Sequence, residues 1–289
     1  MPEDGIKGNL LHKAIDLLLY SHFFIAICAA SLTYQVFYIF DKFRWEEPLP
    51  IFIFFATLLV YSLHRIIGFT KLDRTIPNRR VSVILKFQNH ILIYTGLAFI
   101  GMVTMALFLP VNTLILLGIP AILSSIYILP VFGQRRRFRD LDYAKVFVVA
   151  MVWVWVCICI PLIQMDVEKV LTTFLLIFEK LFFIIAITVP FDIRDLEIDS
   201  SHKIKTIPGS IGVKRSKQLS TLLLICSLFL VIILEQHAFY SFRYCVALVI
   251  SYLVTIAVVA LINQRSHDYW YSCVLDGMIL LQFILLLCS

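Results

Sequence analysis

Val170-Leu-Thr-Thr-Phe-Leu-Leu-Ile-Phe-Glu-Lys-Leu-Phe-Phe-Ile-Ile-Ala-Ile-Thr-Val-Pro190 runs, after Phe191, into Asp192-Ile-Arg-Asp-Leu-Glu-Ile-Asp199. The first stretch is almost wholly apolar and long enough, as a helix, to cross a hydrocarbon core of about 30 Å. The second places a cluster of acids where that apolar stretch ends, at a membrane surface. On a helix Asp192, Asp195 and Asp199 stand at i, i+3 and i+7, so their carboxylates share one face. Three acids on one face repel unless a cation holds them. Hard divalent ions such as Mg2+ take carboxylate oxygens and fill their remaining positions with water or substrate phosphate. An acidic helix end beside a basic loop is the plainer alternative.

The rest of the chain repeats the apolar half of this pattern. Of its 289 residues 61% are hydrophobic and 15% charged, with a mean hydropathy of +0.92, outside the range of soluble globular domains. Apolar runs near 14–40, 48–69, 88–109, 112–132, 145–163, 170–190, 218–235, 241–263 and 271–288 predict an all-α, polytopic membrane bundle of about nine transmembrane helices. Residues 1–289 read as one domain, since no hydrophilic stretch is long enough to fold separately. No charged segment, short apolar core and small-residue cleavage site open the chain, so no removable signal peptide is expected.

Basic residues set the expected orientation. Of 25 Lys and Arg, 20 lie before the first span or in the even-numbered connections, counting Arg65 and Arg194 at the span ends and Lys145 with the fourth connection. The positive-inside rule then puts the N-terminus in the cytoplasm. The net charge of +6 reads as topology plus attraction for anionic headgroups or a phosphate-bearing substrate, not as nucleic-acid binding. Cys28, Cys157, Cys159, Cys226, Cys245, Cys273 and Cys288 fall in or beside spans and read as small packing residues.

The polar mass lies in connections 70–87, 133–145 and 192–217, each after an even-numbered span and so on one face. Two of them share a weak echo: Thr-Ile-Pro77 leads toward Val81-Ser82, and Thr206-Ile-Pro208 toward Ile211-Gly212.

Asp192-Ile-Arg-Asp-Leu-Glu-Ile-Asp199 followed by Lys205-Thr206-Ile-Pro208 and Gly212 resembles the second aspartate-rich motif and following loop of the UbiA superfamily of intramembrane prenyltransferases. Tyr127-Ile-Leu-Pro130 with Arg135-Arg-Arg137 is similar to the Tyr-x-x-Pro and basic loop after that family's fourth helix. Arg74-Thr-Ile-Pro77-Asn-Arg-Arg-Val-Ser82 is similar to the run after its first motif. The resemblance implies transfer of a prenyl group from a polyprenyl diphosphate to an aromatic or other lipophilic acceptor. It also implies Mg2+ on Asp192, Asp195 and Asp199, and a site on the cytoplasmic face of an inner or plasma membrane. The chain departs from the family at the first motif, usually Asn-Asp-x-x-Asp-x-x-x-Asp. Here Tyr61-Ser-Leu-His64-Arg65-Ile-Ile-Gly68-Phe-Thr-Lys71-Leu-Asp73 stands instead, with Asp73 its one acid.

Arg, Lys and protonated His neutralise a leaving diphosphate directly. His64, Arg65, Lys71 and Arg74, with Arg137, Arg194 and Lys205, are therefore the candidate diphosphate-binding residues. His64 and Arg65 as simple headgroup-level anchors are the competing reading. Tyr127 is a candidate to face an allylic cation, or else a core tyrosine. Glu179, Lys180 and Asp276 lie inside spans, where ionisable groups face a cavity or pair internally. A catalytically altered relative that binds a lipid phosphate or scaffolds another enzyme is the alternative function. A transporter is a third reading, weakened by the lack of a clear inverted pair of broken helices.

Overall fold

The structure, a computed structural model, describes residues 18, 21–69, 88–128, 141–201, 204–237, 239–264 and 266–289. Its long helices are α1 (Phe23–Ile39), α2 (Pro48–Phe69), α3 (Gln88–Ala106), α4 (Val111–Ile128), α5 (Ala144–Gln164) and α6 (Val170–Ser201). After a short α7 (Ile207–Ile211) follow α8 (Val213–Gln236), α9 (Phe242–Leu261) and α10 (Trp270–Leu287). Among the described residues the nine long helices correspond to the nine expected spans. Six are long and apolar enough to cross a membrane, and α1, α3 and α4 are shorter apolar helices within the described residues. The molecule is a polytopic helical membrane bundle.

Burial explains the arrangement. Helix α1 is buried almost all round, with Ile25, Ala26, Ser31, Leu32, Thr33 and Tyr34 all inside, because it is packed by α2, α5 and α10 together. Helices α3, α4 and α8 turn Leu92, Leu97, Ile100, Ile115, Ile122, Leu222, Ile225 and Phe229 outward. In water that belt would be a liability; against lipid it is the ordinary outer surface. Gly101 of α3 lies so close to the Phe55 ring of α2 that an added Cβ would sit 2.7 Å from it.

The structure moves two sequence boundaries. The sixth span does not end near 190: α6 continues unbroken to Ser201, through Pro190. Asp192–Asp199 is therefore the last part of a membrane helix and not a connection. Pro190 removes a single intrahelical N–H, which the flanking turns tolerate. Lys145, counted with the preceding loop, is the second residue of α5.

Deep in the bundle Glu179 and Lys180 are fully buried. Lys180 Nζ lies 3.3 Å from Glu179 Oε1 and donates to Gln282 Oε1 of α10 at 3.2 Å. Tyr252 of α9 donates its hydroxyl to the same Glu179 oxygen, and Ser227 of α8 donates to the Glu179 carbonyl at 3.0 Å. The internal-pair expectation holds: these groups join α6 to α8, α9 and α10. Breaking a buried pair strands a charge at a cost of about 3–5 kcal/mol. Lys180→Met and Glu179→Gln are each expected to lower stability in detergent by about that amount, and the double variant by less than their sum. Unfolding curves of the three variants check this.

Candidate functional site

Helical spacing brings the carboxylates of Asp192, Asp195 and Asp199 onto one face near the end of α6, and α5 supplies what meets them. Lys145 Nζ lies 3.0 Å from Asp192 Oδ1, 3.2 Å from Asp195 Oδ2 and 3.6 Å from Asp199 Oδ2. Arg194 adds a forked contact from its own helix: Nε donates to Asp195 Oδ1 at 2.8 Å and Nη2 to Asp195 Oδ2 at 3.3 Å. Its guanidinium lies 5.1 Å from the Phe191 ring centroid and 5.5 Å from that of Tyr271, where the π faces attract it. Asp268 and Asp276 of the C-terminal segment also act electrostatically on Arg194.

The lysine is placed by a built joint. Asp142 and Tyr143 turn the chain into α5, with Tyr143 in the left-handed conformation at φ 59°. Tyr143 N–H donates to the Lys205 carbonyl at 2.9 Å, Lys205 N–H donates to Asp142 Oδ1 at 2.9 Å, and the Tyr143 and Ser210 hydroxyls meet at 2.8 Å. Beyond them Thr206 caps α7 by accepting from Gly209 N–H. Gly212, at φ 82° and ψ 158°, makes a link to α8 that side-chain-bearing residues rarely adopt. The Lys-Thr-Ile-Pro and Gly212 pattern is thus a cap and a glycine joint that clasp the start of α5 to the end of α6.

A separate aromatic group involves α2, α4 and α5. Tyr61 of α2 interacts electrostatically with Tyr127 of α4 and Asp276 of α10, with Trp153 of α5 beside it. The His22 and Tyr61 rings are 5.5 Å apart. Each of α5 and α10 also carries a π-helical turn, Trp155–Cys159 and Trp270–Leu275.

The structure brings Asp192, Asp195 and Asp199 onto one face, as their spacing predicts, with Arg194 paired to Asp195. It puts Tyr127 near Tyr61, and His64 and Arg65 in the final turns of α2, with Arg65 acting electrostatically on Tyr94 of α3. Lys205 is exposed, with Nζ 3.9 Å from Asp142 Oδ2. Lys71, Arg74 and Arg137 lie outside the described residues. Sequence reasoning missed Lys145. The signal was a cation one residue inside the apolar run that starts α5, a costly position without a partner.

Three carboxylates are a donor set that Mg2+ takes by type. Here the fit fails: the Lys145 ammonium stands among the oxygens that would coordinate the ion, and both Asp195 oxygens already accept from Arg194. Among the described residues no group of three or more His, Cys, Asp or Glu is arranged to hold a metal ion.

No family model matches the chain, and no curated protein matches it. Solved structures do. The fold is shared with a membrane-embedded synthase, at TM-score 0.58 and 16% sequence identity over 96% of this chain and 97% of that chain. That protein is digeranylgeranylglyceryl phosphate synthase, and the likeness is one of fold.

Asp142→Ala is expected to speed amide exchange at Lys205 while lowering global stability by less than about 1 kcal/mol, because the lost acceptor is exposed. Hydrogen exchange read by mass spectrometry checks the joint.

Proposed function

We propose that this protein is a UbiA-like membrane prenyltransferase that moves a prenyl group from a polyprenyl diphosphate to an aromatic or other lipophilic acceptor. The observation that carries the reading is the convergence of Asp192, Asp195 and Asp199 with Lys145 and Arg194 at one end of a lipid-exposed bundle. The fold shared with digeranylgeranylglyceryl phosphate synthase and the motif resemblance support it. A phosphorylated amphiphile needs a charged site for its head and apolar helices for its tail, and this end of the molecule offers both.

In this reading the prenyl C–O bond breaks and its electron pair leaves with the diphosphate. Cationic side chains take up the leaving group's charge: Arg194 and Lys145, His64 and Arg65 at the end of α2, and the basic residues Lys71, Arg74 and Arg137 of the sequence. Lys205 takes a lesser part, as its ammonium faces Asp142. Tyr127 and Tyr61 present aromatic faces that stabilise an allylic cation, and the acceptor attacks that cation and loses a proton. The active face is the cytoplasmic one, in an inner or plasma membrane.

A second reading is favoured by one observation: the acids are already largely neutralised by Lys145 and Arg194, as suits a protein that holds a lipid phosphate or scaffolds another membrane enzyme without turnover. Release of inorganic diphosphate from a panel of polyprenyl diphosphates, with and without added Mg2+, separates the two. Prenyl transfer predicts release that falls about 10²–10³-fold in Arg194→Ala, which removes a donor to the leaving group. Lys205→Ala should stay within about threefold of wild type, since its exposed charge is screened. Binding of the donor with no release from any donor and acceptor pair would establish the second reading.

A further inference from the structure

We infer that Lys145 is the resident cation of the acidic cluster, standing where a divalent ion would otherwise join Asp192, Asp195 and Asp199. Asp192 Oδ1, Asp195 Oδ2 and Asp199 Oδ2 are the three oxygens that face its ammonium, at 3.0, 3.2 and 3.6 Å. The two shorter separations are ammonium–oxygen contacts; Mg2+ sits at about 2.0–2.1 Å from its oxygens and needs the volume that Nζ fills.

Three features make this more than a surface lysine lying across acids. The Lys145 side chain is 15% exposed and that of Asp192 2%, so the charges act in a poorly screened setting. The joint through Asp142, Tyr143 and Lys205 fixes the start of α5 against the end of α6, and hence the lysine's reach. Arg194 and Lys145 together occupy Asp195, whose Oδ2 accepts from both, so a further ligand finds room on that carboxylate only where the lysine is gone. A divalent ion added with Lys145 in place would face two cations at close range; one added without it would find three carboxylates on one face. The lysine and the ion exclude each other.

The site therefore meets an anionic ligand with Lys145 and Arg194 and with no bridging metal. This concerns the same residues as the proposed transfer, but its test reads ion binding and not turnover, so the failure of one is distinguishable from the failure of the other.

Mn2+, a hard divalent ion whose free form is visible by electron paramagnetic resonance, is titrated into the purified full-length protein. Wild type and Lys145→Arg are expected to show no saturable site below about 1 mM. Lys145→Met is expected to gain a site at least about tenfold tighter, lost again in Lys145→Met/Asp195→Asn, and Mn2+ is expected to raise the melting temperature of Lys145→Met but not of wild type. Saturable binding to wild type that disappears in Asp195→Asn would overturn the inference. So would a folded Lys145→Met that gains no site. Should Lys145→Met fail to fold, the wild-type titration decides alone: an Asp195-dependent site overturns the inference, and its absence upholds it.

Discussion

Three carboxylates held on one face of a helix repel one another, and the arrangement of this end of the molecule follows from what offsets that repulsion. Two unit charges about 4 Å apart interact by about 4 kcal/mol at an effective dielectric near 20, so an unpaired set would fray the last turns of α6. Lys145 prevents this from a different helix. Its contribution makes the contact between α5 and α6 part of the site, and the clasp between residues 141–143 and 204–210 is the local structure that holds the lysine in place.

Helix α6 carries two polar places with different jobs. Glu179 and Lys180 precede Asp192 by 13 and 12 residues, or about 20 Å along a helix axis. The deep pair is closed off, its charges answered by Tyr252 and Gln282, and it ties helices together where no water competes. The Asp192–Asp199 end is partly open, adjoins aromatic side chains and has cations of two helices upon it. Both obey the same rule, that charge inside a bilayer is kept only with a partner. The difference lies in whether the partner leaves room for a ligand.

The apolar runs were long and regular enough that the nine helices could be read from them, and the i, i+3, i+7 spacing already put the three aspartates on one face. The boundaries were harder. The end of α6 was hidden because Asp192–Asp199 is polar by composition yet helical by neutralisation, and the start of α5 because a lysine beside a basic loop resembles loop. Lys205 has a part that composition does not show: its backbone joins the clasp while its ammonium faces Asp142.

The sequence by itself determined the membrane bundle, the acidic face at a helix end and the lack of a second acidic motif after α2. Those follow from hydropathy and helical periodicity, which act along the chain. Only the tertiary structure decided which charge answers the acids and which polar pair is internal. Lys145 is 47 residues from Asp192, and Glu179 is 73 from Tyr252; no local periodicity links positions so far apart, and packing alone brought them within a few ångströms.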